Sequence, residues 1–397
     1  MIDIMLSLPR FPANLLGESY YFKYLIRALI DRADATYRFT AFTAGFRGRT
    51  LQENTLAGIT DSSRLIQRWF NCPNTVLDAA NRHSILPADL LFGRHDLIHS
   101  FNAQPVPRSE KFILTCQDLS TLRMANGNET PELVSSVRKN LLRLTRQCRA
   151  LITISEFSKR EIVDLLDVPE NKIVVIPNGV DREIFRVMHP GELGAVQRTT
   201  ARLGLTAPYL LYMGGSSKRK NLPMLIKAHA YLCERYKIRQ SLVLIGGQRL
   251  SPESEEELER SPVRDLVVRL GYLPQKDVLH VLKSATAVVC PSTYEGFGLP
   301  ALEAMACGVP VILSNAASLP EVGGSAATYF EPSDCVDMAK AMYELLTDTS
   351  SRADRVNAGL QQSYRFDWGT NADQTISLYK AVLTNSKFGR KLSVAAH

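Results

Sequence analysis

Several absences limit what this 397-residue chain can be. It has no C-x-x-C pair, and its seven cysteines, at 72, 116, 148, 233, 290, 307 and 335, are odd in number. That excludes a simple disulfide framework or a cysteine-based zinc site. Most of them stand inside apolar runs such as Ala287–Cys290, so buried, reduced thiols are expected. No apolar run approaches the about 18 residues that a spanning helix needs. The N-terminus, Met1-Ile-Asp-Ile-Met-Leu, carries an acid and lacks the basic leader and apolar core of a signal peptide, so it reads as a first strand. A cytoplasmic location follows as an expectation, with membrane contact limited to peripheral association at the inner face. There is no D-x-D pair to hold a divalent ion, and no low-complexity stretch.

What is present is a globular composition, 45% hydrophobic and 22% charged, long enough for two domains at roughly 100–200 residues each. The net charge of +7, from 47 bases and 40 acids, is spread along the chain, and no nucleic-acid partner is expected from it. One local concentration is Arg138, Lys139, Arg143, Arg146 and Arg149, at mostly helical spacing. It fits a solvated helix face, with docking on an anionic membrane as the second reading.

Short apolar strands alternate with amphipathic helices, the pattern of parallel sheets covered on both faces. The clearest strands start at Lys111, Ala150, Lys172, Pro208, Ser241, Ala285 and Val309. Helices are expected at 158–166, 222–236, 336–346 and 369–383. The alternation breaks between Pro177 and Ala207, a Gly-rich and weakly apolar stretch read as a domain boundary. The fold class is α/β with two Rossmann-like domains, the first at 1–185 and the second at 186–367.

The most informative segment is Pro291-Ser-Thr-Tyr-Glu295-Gly296-Phe297-Gly298-Leu299-Pro-Ala-Leu-Glu303. A strand ends, a glycine-bearing turn follows, and a helix begins with proline in its first turn. The turn's amides and the helix N-terminus suit a phosphate. Glu295 and Glu303 would repel that phosphate, so their useful task is accepting hydrogen bonds from hydroxyls on either side of it. Gly296-x-Gly298-x-x-Ala301 also matches a dinucleotide fingerprint. It lies late in the chain, contains a proline, and is followed by Ser318 and Leu319 where an acid should bind ribose, all of which count against a dehydrogenase.

A second cluster, Gly214-Gly215-Ser-Ser-Lys218-Arg219-Lys220-Asn221, also falls between a strand and a helix. Arg219 offers a planar fork and Lys220 a point charge to a diphosphate. With no D-x-D, protein charge would stand in for a metal.

These segments resemble glycosyltransferase family 4, retaining enzymes of GT-B fold. Glu295 to Glu303 is similar to the family's E-x7-E motif. Arg219-Lys220-Asn221, Ile176-Pro-Asn178-Gly-Val-Asp181, Ile154-Ser155-Glu-Phe-Ser and Leu244-Ile-Gly246-Gly follow the same family pattern. The resemblance implies parallel sheets facing a central cleft, with Glu295 on the donor sugar and Glu303 on the ribose. The amides of Gly296 to Leu299 would join Arg219 and Lys220 on the diphosphate. Tyr272 and Leu273 would lie near the base, and the loop around Gly17 would face donor phosphate and acceptor. The final helix, about 368–386, would pack back on the first domain. Where the family usually has histidine, this chain has Gln117, which would face the donor sugar.

The implied reaction is retaining, metal-independent transfer of a hexose, with no cofactor beyond the nucleotide-sugar substrate. GDP-mannose is the first donor and UDP-sugars the next, with a saccharide or lipid-linked saccharide as acceptor. A GT-B sugar-nucleotide epimerase and an inactive nucleotide-sugar-binding protein are the alternatives.

Overall fold

The structure is a computed structural model that describes residues 1–9, 17–44, 56, 63–71, 93–101, 111–124, 126–247 and 249–384. The chain divides into two compact units. One contains Met1–Leu122, Thr130–Gly179 and Asp367–His397, the other Arg123–Glu129 and Val180–Phe366. The main division thus falls six residues before the sequence-based one at 185.

The first unit is built on a parallel sheet of seven described strands, β1 (Ile2–Ser7), β2 (Tyr37–Ala44), β3 (Leu65–Phe70), β4 (Leu97–Phe101), β5 (Phe112–Thr115), β6 (Ala150–Thr153) and β7 (Ile173–Val175). Their order is β3-β2-β1-β4-β5-β6-β7. Every residue of β4, β5 and β6 is buried, which favours apolar side chains on both faces, and the polar exceptions include His99 and Thr115, which bond each other. The helix Pro131–Gln147 starts where the Thr130 hydroxyl accepts the Leu133 amide, with proline in the first turn. It buries Leu141 and Leu144, each worth roughly 1.5–3 kcal/mol, in the core around Leu114 and Leu151. Arg138, Lys139 and Arg146 stay exposed on it, Arg143 is half-buried against Asn140, and Arg149 lies beyond its end.

The helix Trp368–Leu383 belongs to this unit and packs on Gly17–Arg32. Trp368 meets the rings of Tyr21 and Tyr24, and Asn371 Nδ2 donates to Pro177 O at 2.7 Å. Its Tyr379 hydroxyl lies 2.6 Å from His99 Nδ1, while Thr115 Oγ1 lies 2.7 Å from Nε2. Burial keeps this imidazole neutral, with its pKa lowered to about 3.

The second unit holds a parallel sheet of six described strands, β8 (Tyr209–Gly214), β9 (Ser241–Gly246), β10 (Val267–Gly271), β11 (Ala287–Cys290), β12 (Val311–Ser314) and β13 (Thr328–Phe330). The order is β10-β9-β8-β11-β12-β13. It reverses between β8 and β11, and loops beyond the carboxyl ends of two such strands form a ligand-binding crevice. Both motif-bearing segments leave the sheet here.

The stretch from Pro177 to Ala207, read as a break in the alternation, contains the amphipathic helix Leu193–Arg202, which buries only Val196 and Thr199. Two buried positions leave too short an apolar stripe to stand out in sequence. The expected burial of the thiols holds for Cys116, Cys148, Cys233, Cys290 and Cys307; Cys335 is half-exposed, and Cys72 lies outside the described residues.

Candidate functional site

Beyond β8 the chain makes a 3-10 turn over Lys218–Lys220, then Asn221 takes a left-handed conformation and opens the helix Leu222–Arg235. Asn221 Nδ2 donates to Pro291 O at 3.1 Å and Pro332 O at 2.8 Å. The Thr293 amide donates to Arg219 O at 2.8 Å. These bonds stitch the turn after β8 to the turn after β11, so the two motifs form one site.

At its centre is Glu295, only 9% exposed. Its Oε2 accepts from Arg219 Nη1 at 2.8 Å, and its Oε1 accepts from Lys220 Nζ at 2.5 Å and Ser292 Oγ at 2.7 Å. Burial alone would raise this carboxyl, but the two cations and three hydrogen bonds win and hold its pKa down at about 2. Glu295 is therefore ionised and balances part of the charge of Arg219 and Lys220.

The turn continues through Gly296 and Phe297 to Gly298, where φ is +110° and an added Cβ would lie 2.7 Å from Leu319 Cδ2. Only glycine fits. Ser318 Oγ is 2.8 Å from Glu295 O and 3.0 Å from Phe297 O, which fixes the turn from beneath. Phe297 is buried against Phe366. Gly298 precedes the helix Leu299–Ala306 and contributes no side-chain cap.

Glu303, one turn into that helix, is half-buried. Its carboxylate has no hydrogen-bonding or ionic partner among the described residues, and burial raises its pKa to about 8. The two motif glutamates are opposites: Glu295 is paired and ionised, Glu303 unpaired and held near neutrality.

A pocket of about 280 Å³ opens beside these turns. Its lining includes Gly214, Ser216, Leu244, Gly247, Arg269 and Gly271. Gly215 O accepts from the Tyr212 hydroxyl at 2.6 Å, which shapes the wall. Tyr272, 41% exposed, and half-buried Leu273 follow β10 and do not line it.

Arg219, Lys220 and Glu295 are in direct contact, with Gly296 to Leu299 next to them in the same turn. Gln117 and Gly17 belong to the first unit. Gln117 lies two residues past β5, is buried, and accepts on its main-chain oxygen from Ser158 Oγ at 3.1 Å. Gly17 opens the helix Gly17–Arg32; the loop before it lies outside the described residues. Gly296-x-Gly298-x-x-Ala301 follows β11, the fourth strand of its sheet, not the first as a dinucleotide fingerprint requires.

Sequence reading missed Ser292 and Asn126. Ser292 stands three residues before Glu295, a spacing that offered a signal. Asn126 accepts from Arg219 Nε at 2.9 Å across 93 residues of sequence, and no local pattern reports such a contact.

Two parallel-sheet α/β units with a charged turn at the reversal of strand order define a GT-B glycosyltransferase. Comparison with known proteins agrees. The model "Glycosyltransferase Family 4" matches residues 15–184, and "Glycosyl transferases group 1" matches 197–362. O-antigen chain mannosyltransferase B of Escherichia coli is 32% identical over 287 residues, 72% of this chain and 74% of that protein. Serotype-specific mannosyltransferase WbdA of Escherichia coli is 28% identical over 282 residues, 70% of this chain but 34% of that longer protein. Among solved structures, sucrose-phosphate synthase from Thermosynechococcus elongatus has a TM-score of 0.71 at 20% identity, over 97% of this chain and 100% of that one. Anabaena HepE in complex with UDP and glucose has a TM-score of 0.70 at 18% identity, over 96% and 100%. The chain belongs to glycosyltransferase family 4 and is a glycosyltransferase that uses sugar-nucleotide donors.

Proposed function

We propose that this enzyme transfers a hexose, mannose first, from a nucleoside diphosphate sugar to a saccharide or lipid-linked saccharide, with retention at the anomeric carbon and without a metal. The observation that carries the reading is the pairing of Arg219 and Lys220 with Glu295 beside the uncapped N-terminus of Leu299–Ala306. Two cations and a helix dipole provide the positive potential that a departing diphosphate needs. GDP-mannose is the first donor, supported by the mannosyltransferase names of the two Escherichia coli relatives. UDP-sugars come next.

In this mechanism the acceptor hydroxyl oxygen bonds to the anomeric carbon as the bond to the β-phosphate oxygen breaks. The hydroxyl proton passes to a donor phosphate oxygen, and the nucleoside diphosphate leaves. Arg219, Lys220 and the turn amides at 297–299 hold the growing charge, Glu295 orients sugar hydroxyls, and Glu303 accepts from the ribose. The pocket beside Gly214 and Gly271 takes the base. Gln117 offers the donor sugar a neutral amide in place of histidine.

Among the described residues no helix is long and apolar enough to cross a membrane. The exposed cations of Pro131–Gln147 support peripheral attachment at the cytoplasmic face of an anionic membrane.

Incubation with a panel of GDP-, UDP- and ADP-sugars, an oligomannoside acceptor and EDTA tests the whole reading. Nucleotide release with an extended acceptor of α-configuration supports it. An isomerised donor would point to an epimerase, and binding without turnover to a nucleotide-sugar receptor. Activity lost to EDTA and restored by a divalent ion would overturn the metal-free mechanism.

A further inference from the structure

We propose that Asn126 is a positioning residue for Arg219, and that the short segment 126–129 is a strap that presents the guanidinium to the donor diphosphate. This rests on the reading above that Arg219 holds the diphosphate.

Chain order would assign this segment to the first unit, since it falls between β5 and the helix Pro131–Gln147, yet it belongs to the second. What folds it is Glu129, a buried carboxylate that gathers four donors from the three preceding residues. Its Oε1 accepts from Asn126 Nδ2 at 2.7 Å and the Asn126 amide at 3.2 Å. Its Oε2 accepts the amides of Gly127 at 2.9 Å and Asn128 at 3.1 Å. A carboxylate can only accept, so the Asn126 NH₂ must face Glu129, and its oxygen must face the other way.

That oxygen meets Arg219. Asn126 Oδ1 accepts from Nε at 2.9 Å, while Nη1 donates to Glu295 Oε2 at 2.8 Å and Tyr294 O at 3.2 Å. Bonds at Nε and Nη1 fix the guanidinium plane as well as its position, because the group is rigid and planar. The strap also grips the backbone of the turn. Asn126 O accepts the Lys218 amide at 3.0 Å, and Gly127, at φ +85°, packs so close that an added Cβ would lie 2.9 Å from Lys218 Cβ.

The consequence is pre-ordering. An unrestrained arginine loses rotamer freedom when it binds a phosphate, whereas one already held in its plane loses less. Glu295 cannot supply this alone, because the same carboxylate is shared with Lys220 and Ser292. Asn126 holds Arg219 without cancelling its charge.

The test is a double-mutant cycle read by calorimetry with GDP and GMP (UDP and UMP if the donor panel selects uridine). Asn126→Ala should weaken GDP binding about tenfold, the scale of one hydrogen bond to a charged group, and leave GMP binding unchanged. Arg219→Ala should weaken GDP more, and Asn126→Ala added to it should cost nothing further, because the two residues act as one unit. Parental GDP affinity in Asn126→Ala, or full additivity in the double variant, overturns the strap. Parental GDP affinity in Arg219→Ala overturns the diphosphate reading itself, a separate outcome. If Asn126→Ala fails to bind GMP, Glu129→Gln takes its place, with the same selective loss of GDP affinity expected and an unselective loss counting against the proposal.

Discussion

Lys220 Nζ lies 2.5 Å from Glu295 Oε1, so the first glutamate of the E-x7-E motif is ion-paired before any donor arrives. With Arg219 on its other oxygen, Glu295 draws charge away from the groups proposed to hold the diphosphate. It also fixes their positions, and the two effects oppose each other on substitution. Glu295→Gln keeps the shape and removes the charge. Nucleoside diphosphate affinity should hold or rise, because two cations lose their counter-ion, while transfer should fall at least tenfold, or about 1.4 kcal/mol in barrier. Calorimetry beside initial rates separates the effects, and equal losses in both would assign Glu295 to holding the cations alone.

Lys220→Ala should weaken a nucleoside diphosphate much more than the corresponding monophosphate, since the proposed target is the outer phosphate. Glu295 loses one of its two cations and keeps Arg219, so its pKa will rise from about 2 in this variant. Binding measured above and below pH 6 with both nucleotides checks the selectivity. Equal loss for both nucleotides would place Lys220 away from the outer phosphate.

The family resemblance puts Gln117 in the place of a histidine, and we propose that it faces the donor sugar as an amide that cannot become cationic. Gln117→Ala should lower turnover about tenfold, roughly 1.4 kcal/mol of transition-state contact. The ratio of parent to variant rates should stay flat between pH 6 and 8. Kinetics matching the parent would mean that this buried residue only satisfies its own strand end.

The sequence made many of the inner strands legible for a physical reason, though not β2 and β4, whose runs are broken by Arg38 and His99. β5, β6, β8, β9, β11 and β12 are covered on both faces and read as apolar runs, so their positions fall within about two residues of expectation. β3, β10 and β13 lie at sheet edges; β3 carries Arg68, β10 carries Arg269, and β13 is three residues long. Charge hides β3 and β10, and brevity hides β13, whereas the equally short edge strand β7 is all apolar and was legible from Lys172 onward. Arg219, Lys220 and Glu295 were recoverable as a set because each lies in a local strand-turn-helix motif. Asn126 was not, since its partner is 93 residues away and its own neighbourhood reads as a polar loop.

His99 offers a stability test in the first unit. The ring is fully buried between Thr115 and Tyr379 and stays neutral, with its pKa lowered from 6.5 to about 3. Between those values the unfolded chain binds a proton that the folded one does not, so stability falls as pH drops below 6.5. Each pH unit costs up to about 1.4 kcal/mol from this group. Urea unfolding at several pH values should show a slope reduced by about one proton in His99→Gln. An unchanged slope would show that the ring is solvated before unfolding.

Glu303 supplies the complementary test at the proposed donor site. Its carboxyl is raised from 4.5 to about 8 by burial, with no cation beside it to offset the cost. The folded chain therefore holds a proton between those values that the unfolded chain releases. On linkage, stability falls as pH rises from 4.5 towards 8, the reverse of the usual acid. Glu303→Gln, neutral at every pH, should lose that decline and be more stable than the parent near pH 8. Nucleotide binding should run the other way. Ribose hydroxyls donate to an ionised carboxylate more strongly than to a neutral acid, so binding below pH 8 must expel the proton. Affinity in the parent should then climb with pH by up to about tenfold per unit until pH 8, and level off. The nucleotide's own phosphates titrate as well, so the informative quantity is the difference between parent and Glu303→Gln. Calorimetry in buffers of differing ionisation enthalpy should find about one more proton released by the parent than by the variant. Equal proton release from both proteins would place the ribose away from Glu303.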